Sequence, residues 1–350
     1  FLNQIFKSTY LVSYKSIEFP GKKKRMEGKL GTVCVTGGAG YIGSWLIMRL
    51  LERGYSVNAT VRLDSESKKD ISHLTNLQGA SERLKIFNAD LYKPETFSAP
   101  IEGCDGVFHV AHPLNFEGKE ADDSMINMAV EGTLGILKAC LNSKTVKKVV
   151  LTSSVAAVVF NNSGLEEFNE NSWTDVELCR STKVEGSSYS IPKTLAEQTA
   201  LNFGEEHGLD VVAINPSLVV GPCICPHFPV SNYIALSLYM GNRDWYKYLT
   251  RAQFVHIDDV VSGHLYLFES PNAKGRYICS SVNTTFDQLV KFHSDRYPEI
   301  EMPLDFFKGM DINALCFSSK KLLDLGFKFK YSLEEMYDGA IQSCKEKGFL

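Results

Sequence analysis

Residues 33–51 read VCVTGGAGYIGSWLIMRLL, with Gly37, Gly40 and Gly43 at three-residue spacing. An apolar run from Thr32 to Val35 precedes the glycines and predicts a strand. Behind them Ile42, Leu46, Ile47 and Leu50 fall on one face of a helix. Strand, glycine turn and helix together form a dinucleotide-binding unit. Glycines let the backbone turn tightly and approach a pyrophosphate, and the helix N-terminus offers its charge free N–H groups. Gly37, Gly40, Tyr41, Ile42 and Gly43 are therefore read as cofactor-binding.

The same rhythm continues along the chain. Strands are expected at 32–36, 56–61, 84–88, 106–110, 147–152 and 210–215, with helices at 42–53, 123–142 and 190–207. This alternation predicts an α/β fold with a doubly wound parallel Rossmann sheet. After residue 215 it breaks. NPSLVVGPCICPHFPV holds four prolines in sixteen residues and reads as loop. VHIDDVVSGHLYLFE reads as a strand end entering a helix, 275–279 as another strand, and SSKKLLDLGF and LEEMYDGAIQSCKEK as helical. The domain reading is a leader at 1–28, a Rossmann domain at 29–215 plus 254–282, and a small discontinuous substrate lobe at 216–253 plus 283–345.

Tyr189 and Lys193 stand at Y-x-x-x-K spacing, which puts a phenol and an ammonium one helical turn apart. A free phenol titrates near ~10, so a neighbouring ammonium is expected to lower its pKa and make it a proton exchanger. Ser154 ends the fifth strand in VLTSSVAAV, where its hydroxyl can polarise a carbonyl. Singly these are a core tyrosine, a surface lysine and a strand-end serine. In this order, after a glycine turn, they point to a nicotinamide-dependent oxidoreductase.

Arg62 ends the second strand, nineteen residues after Gly43. An arginine there accommodates a 2′-phosphate and favours NADP, whereas an acidic residue favours NAD. Lys68 and Lys69 add charge, and nearby Asp64 leaves NAD possible. Asp90 and Leu91 follow the third strand, where adenine is commonly met. Val110, Ala111 and His112 follow the fourth. His112 reads as a packed loop histidine, with contact to substrate as the alternative.

Bulk composition excludes other classes. The chain has 350 residues, 44% hydrophobic and 22% charged, with net charge −4. No general reason for nucleic-acid binding follows, and no apolar run reaches the ~18–20 residues of a membrane span. Nine cysteines, an odd count, favour free or buried thiols in a reducing compartment and hence the cytoplasm. Cys223 and Cys225 are too close for CxxC, so neither metal nor structural disulfide is expected. The expected partner is a small-molecule substrate, on a monomer or weak dimer. Residues 1–25 carry six basic residues and one acidic, and end in KKKR. They read as a non-native or fragmentary leader, or as a targeting segment.

These residues resemble the extended short-chain dehydrogenase/reductases. More narrowly, the chain is similar to the plant dihydroflavonol 4-reductase and vestitone reductase group, over nearly all of 28–350. The resemblance rests on GSWLIMRLLERGYSV, ADL at 89–91, VFHVAHP at 107–113, EGTLGILKAC, KTVKKVVLTSS, KTLAEQ, NPSLVVGP, VHIDDV and CKEKGFL. VCVTGGAGY, EEHGLDVV and KGRYICSSV also resemble the noscapine synthase type of alkaloid dehydrogenase in that group. It implies catalysis by Ser154, Tyr189 and Lys193, with Arg62 and Lys69 at the 2′-phosphate. Asp90, Leu91, Val110 and Ala111 would lie along the adenine side. Pro216, Ser217, Leu218 and Val219 would lie near the nicotinamide, with Ser231 close by.

Three departures bear on function. Val159 stands five residues after Ser154, where dihydroflavonol reductases usually carry a polar residue. GSSYSIPK replaces the NWYCYGK of cinnamoyl-CoA reductases. Pro192 precedes the lysine, which suits a first helical turn but not a position deeper in a helix. The expected activity is NADPH-dependent reduction of a carbonyl on a plant aromatic metabolite. The rivals are NAD-dependent oxidation of an alkaloid alcohol or hemiacetal, and a non-catalytic nucleotide-sensing protein. Val159, Phe160, Ile224, Phe228, Tyr233 and Trp245 are expected to offer an apolar, aromatic substrate surface.

Overall fold

Thr32–Thr36 (β1) is buried from its second residue on, as expected of a strand covered on both faces. The computed structural model describes residues 30–63, 70–113, 123–162, 164–165, 167–183, 185–249, 253–308 and 315–350. The leader, Asp64, Lys68 and Lys69 lie outside the described residues. Residues 31–350 form one unit. The remaining strands are Ser56–Val61 (β2), Leu84–Asn88 (β3), Gly106–His109 (β4), Lys148–Thr152 (β5) and Glu167–Phe168 (β6). Asp210–Pro216 (β7), Leu218–Val220 (β8), Phe254–His256 (β9), Gly275–Cys279 (β10) and Cys316–Phe317 (β11) follow.

Seven strands make one sheet in the order β10-β7-β5-β4-β1-β2-β3, every pair parallel. Side chains alternate across it. Val33, Val35, Phe108, Val150 and Ile214 meet the helices Tyr41–Arg53 and Ile257–Glu269 in one core. Cys34, Val107, Val149, Leu151 and Ala213 meet Asp123–Ser143 and Ser187–His207 in another. Strand order reverses at β1, which pairs with β2 on one side and β4 on the other. The crevice beyond the C-terminal ends of β1 and β4 is where doubly wound sheets bind ligands. This is the Rossmann-like α/β architecture expected from the alternation.

The stretch after residue 215 differs from its reading as loop. Leu218–Val220 pairs in register with Phe254–His256. β6 pairs likewise with β11. Both partners are remote in sequence, so no local pattern announces them. A third apolar core gathers around Phe254, Phe286, Tyr337 and Ile341. It includes Phe286–Arg296, a helix whose start is closed by a capping box of Thr285 and Gln288. The nine cysteines are free thiols, all but Cys316 buried.

Several histidines are packed inside. His109, His256, His264 and His293 are at most 2% exposed. Burial pushes their pKa values down to about 3, 4, 4 and 4. Unfolded imidazoles titrate near ~6.5, so between these values the unfolded chain binds more protons. Stability should therefore fall as pH drops from about 7 towards 4. Asp259 opposes this, because burial lifts its carboxyl to about 7 and the folded state gains a proton in the same window. Four imidazoles outweigh one carboxyl, and the expected loss at pH 5 is on the order of several kcal/mol. Melting temperature measured between pH 7 and pH 5 should fall; a constant or rising value would contradict the assignment.

Candidate active site

The glycine turn is built by close approach. Gly37 has φ +68, and a Cβ there would sit 2.9 Å from Ala111 Cα. The Gly38 N–H donates to the Thr60 carbonyl at 2.8 Å. No side chain caps the helix Tyr41–Arg53, whose N-cap is Gly40, so its first turn is open to an anion. The Tyr41 phenol reaches away and donates to Gly221 O at 2.9 Å. That bond ties the turn to the segment after β8.

Thr36 and His109 fasten the neighbouring strand end. Thr36 Oγ1 accepts the N–H groups of Val110 and Ala111 at 3.1 and 3.0 Å. Its hydrogen goes to His109 Nδ1 at 3.0 Å. His109 Nε2 lies 3.1 Å from Thr133 Oγ1, whose own hydrogen goes to Ala129 O. The imidazole is therefore neutral, with its proton on Nε2. Sequence reading passed over both residues, because nothing local marks a pair 73 positions apart.

Ser154, Tyr189 and Lys193 come together at the C-terminal ends of β5 and β7. Ser154 caps a 3-10 turn, its Oγ accepting from Ala156 N at 3.2 Å. A Ser154 hydrogen bond also reaches Tyr189. Lys193 Nζ lies 5.9 Å from the Tyr189 ring centroid and donates to Thr152 O at 2.9 Å. Thr152 is itself held by His264 Nε2 at 2.7 Å. The helix carrying both residues begins at Ser187 behind a left-handed Gly186, so Pro192 falls inside it, beyond the first turn. The proline forfeits one backbone hydrogen bond, yet the tyrosine–lysine spacing is kept.

Electrostatics depart from expectation at Tyr189. Burial pushes its phenol up to about 12, with the Ser154 hydrogen bond opposing. The lysine does not lower it, because a lysine that titrates at about 7 has lost its charge before the phenol ionises. Burial pushes Lys193 down to about 7, while Glu197 pulls it back up. His112 stands beside the pair, its ring edge-on to Tyr189 at 5.9 Å between centroids. Its Nε2 is buried without a partner, as are Ser217 Oγ and Asn215 Oδ1.

The other cofactor-side residues are dispersed around the crevice. Arg62 is exposed just after β2, and Leu63 N beside it is held by Asn88 Oδ1 at 2.9 Å. Asp90 Oδ1 accepts from Tyr92 N at 3.1 Å. Leu91 packs against Gly132, where a Cβ would meet Leu91 Cδ2 at 2.9 Å. Pro216 ends β7, Leu218 and Val219 lie in β8, and Ser231 is the second residue of the short helix Val230–Ala235.

The apolar surface is only partly brought together. Phe228, Tyr233 and Trp245 form one run, with centroids 5.3 and 5.5 Å apart. Val159 instead packs with Phe168, Ile278 and Phe317. Phe160 packs with Cys179 and Ile191, and Ile224 leans on the first sheet core.

Residues 33–279 match the family model described as NAD dependent epimerase/dehydratase family. Vestitone reductase of Medicago sativa is 48% identical over 93% of this chain and 99% of its own length. A noscapine synthase of Papaver somniferum is 49% identical over 94% of this chain and 97% of its own. Among solved structures, alfalfa vestitone reductase superposes with a TM-score of 0.81 at 45% identity, covering 92% of this chain and 100% of that one. A yeast methylglyoxal/isovaleraldehyde reductase complexed with NADPH gives 0.74 at 26%, covering 91% and 100%. The glycine turn, the parallel sheet and these matches agree: the chain belongs to the NAD dependent epimerase/dehydratase family and is an NAD(P)-dependent oxidoreductase of the short-chain dehydrogenase/reductase type.

Proposed function

We propose that the protein is an NADPH-dependent reductase of a carbonyl on a plant aromatic metabolite of the flavonoid or isoflavonoid kind. The observation that carries this reading is the meeting of Ser154, Tyr189 and Lys193. The residues fit a dinucleotide. Gly37 leaves no room for a side chain against Ala111, the helix start at Tyr41 and Ile42 is uncapped, and Ser217 Oγ is an orphan. Gly37, Gly40, Gly43, Asp90, Leu91, Val110, Ala111, Pro216, Ser217, Leu218, Val219 and Ser231 are assigned to it, and its nicotinamide supplies a hydride. Ser154 polarises the substrate carbonyl. Tyr189 gives its proton to the carbonyl oxygen. Lys193, anchored on the Thr152 carbonyl 5.9 Å from the Tyr189 ring centroid, is assigned to proton exchange and cofactor contact beside the phenol.

A buried phenol that keeps its proton up to about 12 suits donation. The reverse oxidation requires the phenolate as base, so the same burial favours reduction over the alkaloid-alcohol alternative. Vestitone reductase and dihydroflavonol 4-reductase relatives support the substrate class. Catalysis is assigned to a substrate lobe and a Rossmann domain in a monomer or weak dimer, in the cytoplasm. Among the described residues no helix is long and apolar enough to cross a membrane.

Arg62 is assigned to the 2′-phosphate. Arg62→Ala should narrow the affinity gap between NADPH and NADH by roughly 1.5–3 kcal/mol, the scale of a charged hydrogen bond. Equal dissociation constants for the two cofactors in the unsubstituted protein would contradict the assignment.

Substrate choice is tested by kcat/KM on dihydroquercetin, vestitone, a nucleotide sugar and a phthalide-type hemiacetal. Val159 offers no hydrogen bond five residues after Ser154, and it faces an apolar cluster. A substrate hydroxyl left without a partner there should cost about 1 kcal/mol or more. Vestitone should therefore exceed dihydroquercetin. The run of Phe228, Tyr233 and Trp245 offers rings a stacking surface and leaves sugar hydroxyls unpaired. A preference for the nucleotide sugar would overturn the aromatic reading.

A further inference from the structure

We infer that Glu197 is a positioning residue for the hydride-transfer site, holding Ser154 in place through Asn215 and balancing the charge of Lys193. The inference rests on the reading of Ser154, Tyr189 and Lys193 given above.

Glu197 lies one helical turn beyond Lys193 and is 0% exposed. An isolated carboxylate in that position is costly, and here every donor around it is accounted for. Oε2 accepts from Ser153 Oγ at 2.6 Å and from Asn215 Nδ2 at 2.8 Å. Asn215 Nδ2 also donates to the Ser154 carbonyl at 3.2 Å. Oε1 accepts from Arg276 Nε at 2.7 Å. Arg276 lies 3.4 Å from the Trp173 ring centroid and donates to the carbonyls of Glu170, Ser172 and Ala157. The turn carrying Ser154 is thus gripped at Ser154 O by Asn215 and at Ala157 O by Arg276. Glu197 joins the two grips.

The same carboxylate, one helical turn from Lys193, favours its charged form. Tyr189 on the same helix, His109 and His112 from the end of β4, and His264 from Ile257–Glu269 also surround the ammonium. Burial keeps the three imidazoles neutral. Of these groups Glu197 alone brings negative charge, and Arg276 offsets part of it through the ion pair. Removing that charge makes the ammonium easier to deprotonate, as loss of a nearby opposite charge does.

The two roles have separate readouts. E197Q keeps the side chain's shape and removes its charge. Its kcat should fall about tenfold, less than the loss expected from removing the proton donor itself. The alkaline limb of its kcat/KM profile should move to lower pH by about one unit or more. NADPH affinity should not change. N215A leaves the charge in place, so its kcat should fall while the alkaline limb stays put. A folded E197Q with unmoved pH limb overturns the inference, whatever its melting temperature, because that is the pattern of mere packing. If E197Q does not fold, wild-type kcat in N215A overturns it. Y189F is measured alongside. Retained turnover in Y189F would sink the Ser154–Tyr189–Lys193 reading, whereas a dead Y189F beside a wild-type-like E197Q sinks only the role of Glu197.

Discussion

Tyr189→Phe should lower kcat by about 100-fold or more, the usual contribution of a positioned general acid. The substitution removes one oxygen and keeps the ring. That half-buried ring packs with His112 edge-on at 5.9 Å and has Lys193 Nζ 5.9 Å from its centroid. Its packing therefore survives, and NADPH affinity should stay within about twofold of the starting value. Burial holds the phenol protonated up to about 12, so at neutral pH the donor is present in full. A variant that keeps more than about a tenth of the rate would reject the general-acid role.

Gly43→Ala should abolish cofactor binding at ordinary concentrations. Gly43 sits in the first turn of Tyr41–Arg53, and a Cβ there would overlap the Gly37 carbonyl oxygen and crowd Gly38 Cα at 3.1 Å. Both are backbone atoms of the turn itself, so no side chain can swing aside. The helix must move off the turn, and its N-terminus leaves the position assigned to the pyrophosphate. A displacement of about 1 Å at such a site is worth on the order of 100-fold. Fluorescence titration with NADPH reads the loss, and a dichroism melt separates it from unfolding. Unchanged affinity would contradict the assignment of the glycine turn.

Much of this architecture is legible in local sequence, for a physical reason. Strands buried on both faces need continuous apolar runs, and VCVT, VFH and KVVLT supply them; each is a strand within a residue or two of its expected limits. Long amphipathic helices such as Asp123–Ser143 announce themselves by period. What escapes is pairing at a distance. β8 is three residues long and exists because β9 lies alongside it. Glu197 looks like an ordinary helix glutamate until Arg276 folds onto it from 79 positions away.

The site shows the same division. Its residue types and spacing can be read, because a phenol and an ammonium one turn apart follow from helix geometry alone. Its electrostatics cannot. A lowered Tyr189 pKa is expected from proximity to a charge, but burial raises the phenol and also lowers Lys193 to about 7, so the charge is gone before the phenol titrates. Pro192 is the converse case. Its place inside the helix looked disruptive, yet one lost backbone bond leaves the Tyr189–Lys193 spacing intact.

The central claim is that a hydride passes to a ketone carbon while Tyr189 protonates its oxygen. NADPH carrying deuterium at nicotinamide C4, incubated with vestitone and the protein, tests it most directly. The account expects an alcohol bearing one deuterium on the former carbonyl carbon, formed by the unsubstituted protein and not by Tyr189→Phe. An alcohol without deuterium, or equal labelling by the Tyr189→Phe protein, would contradict it.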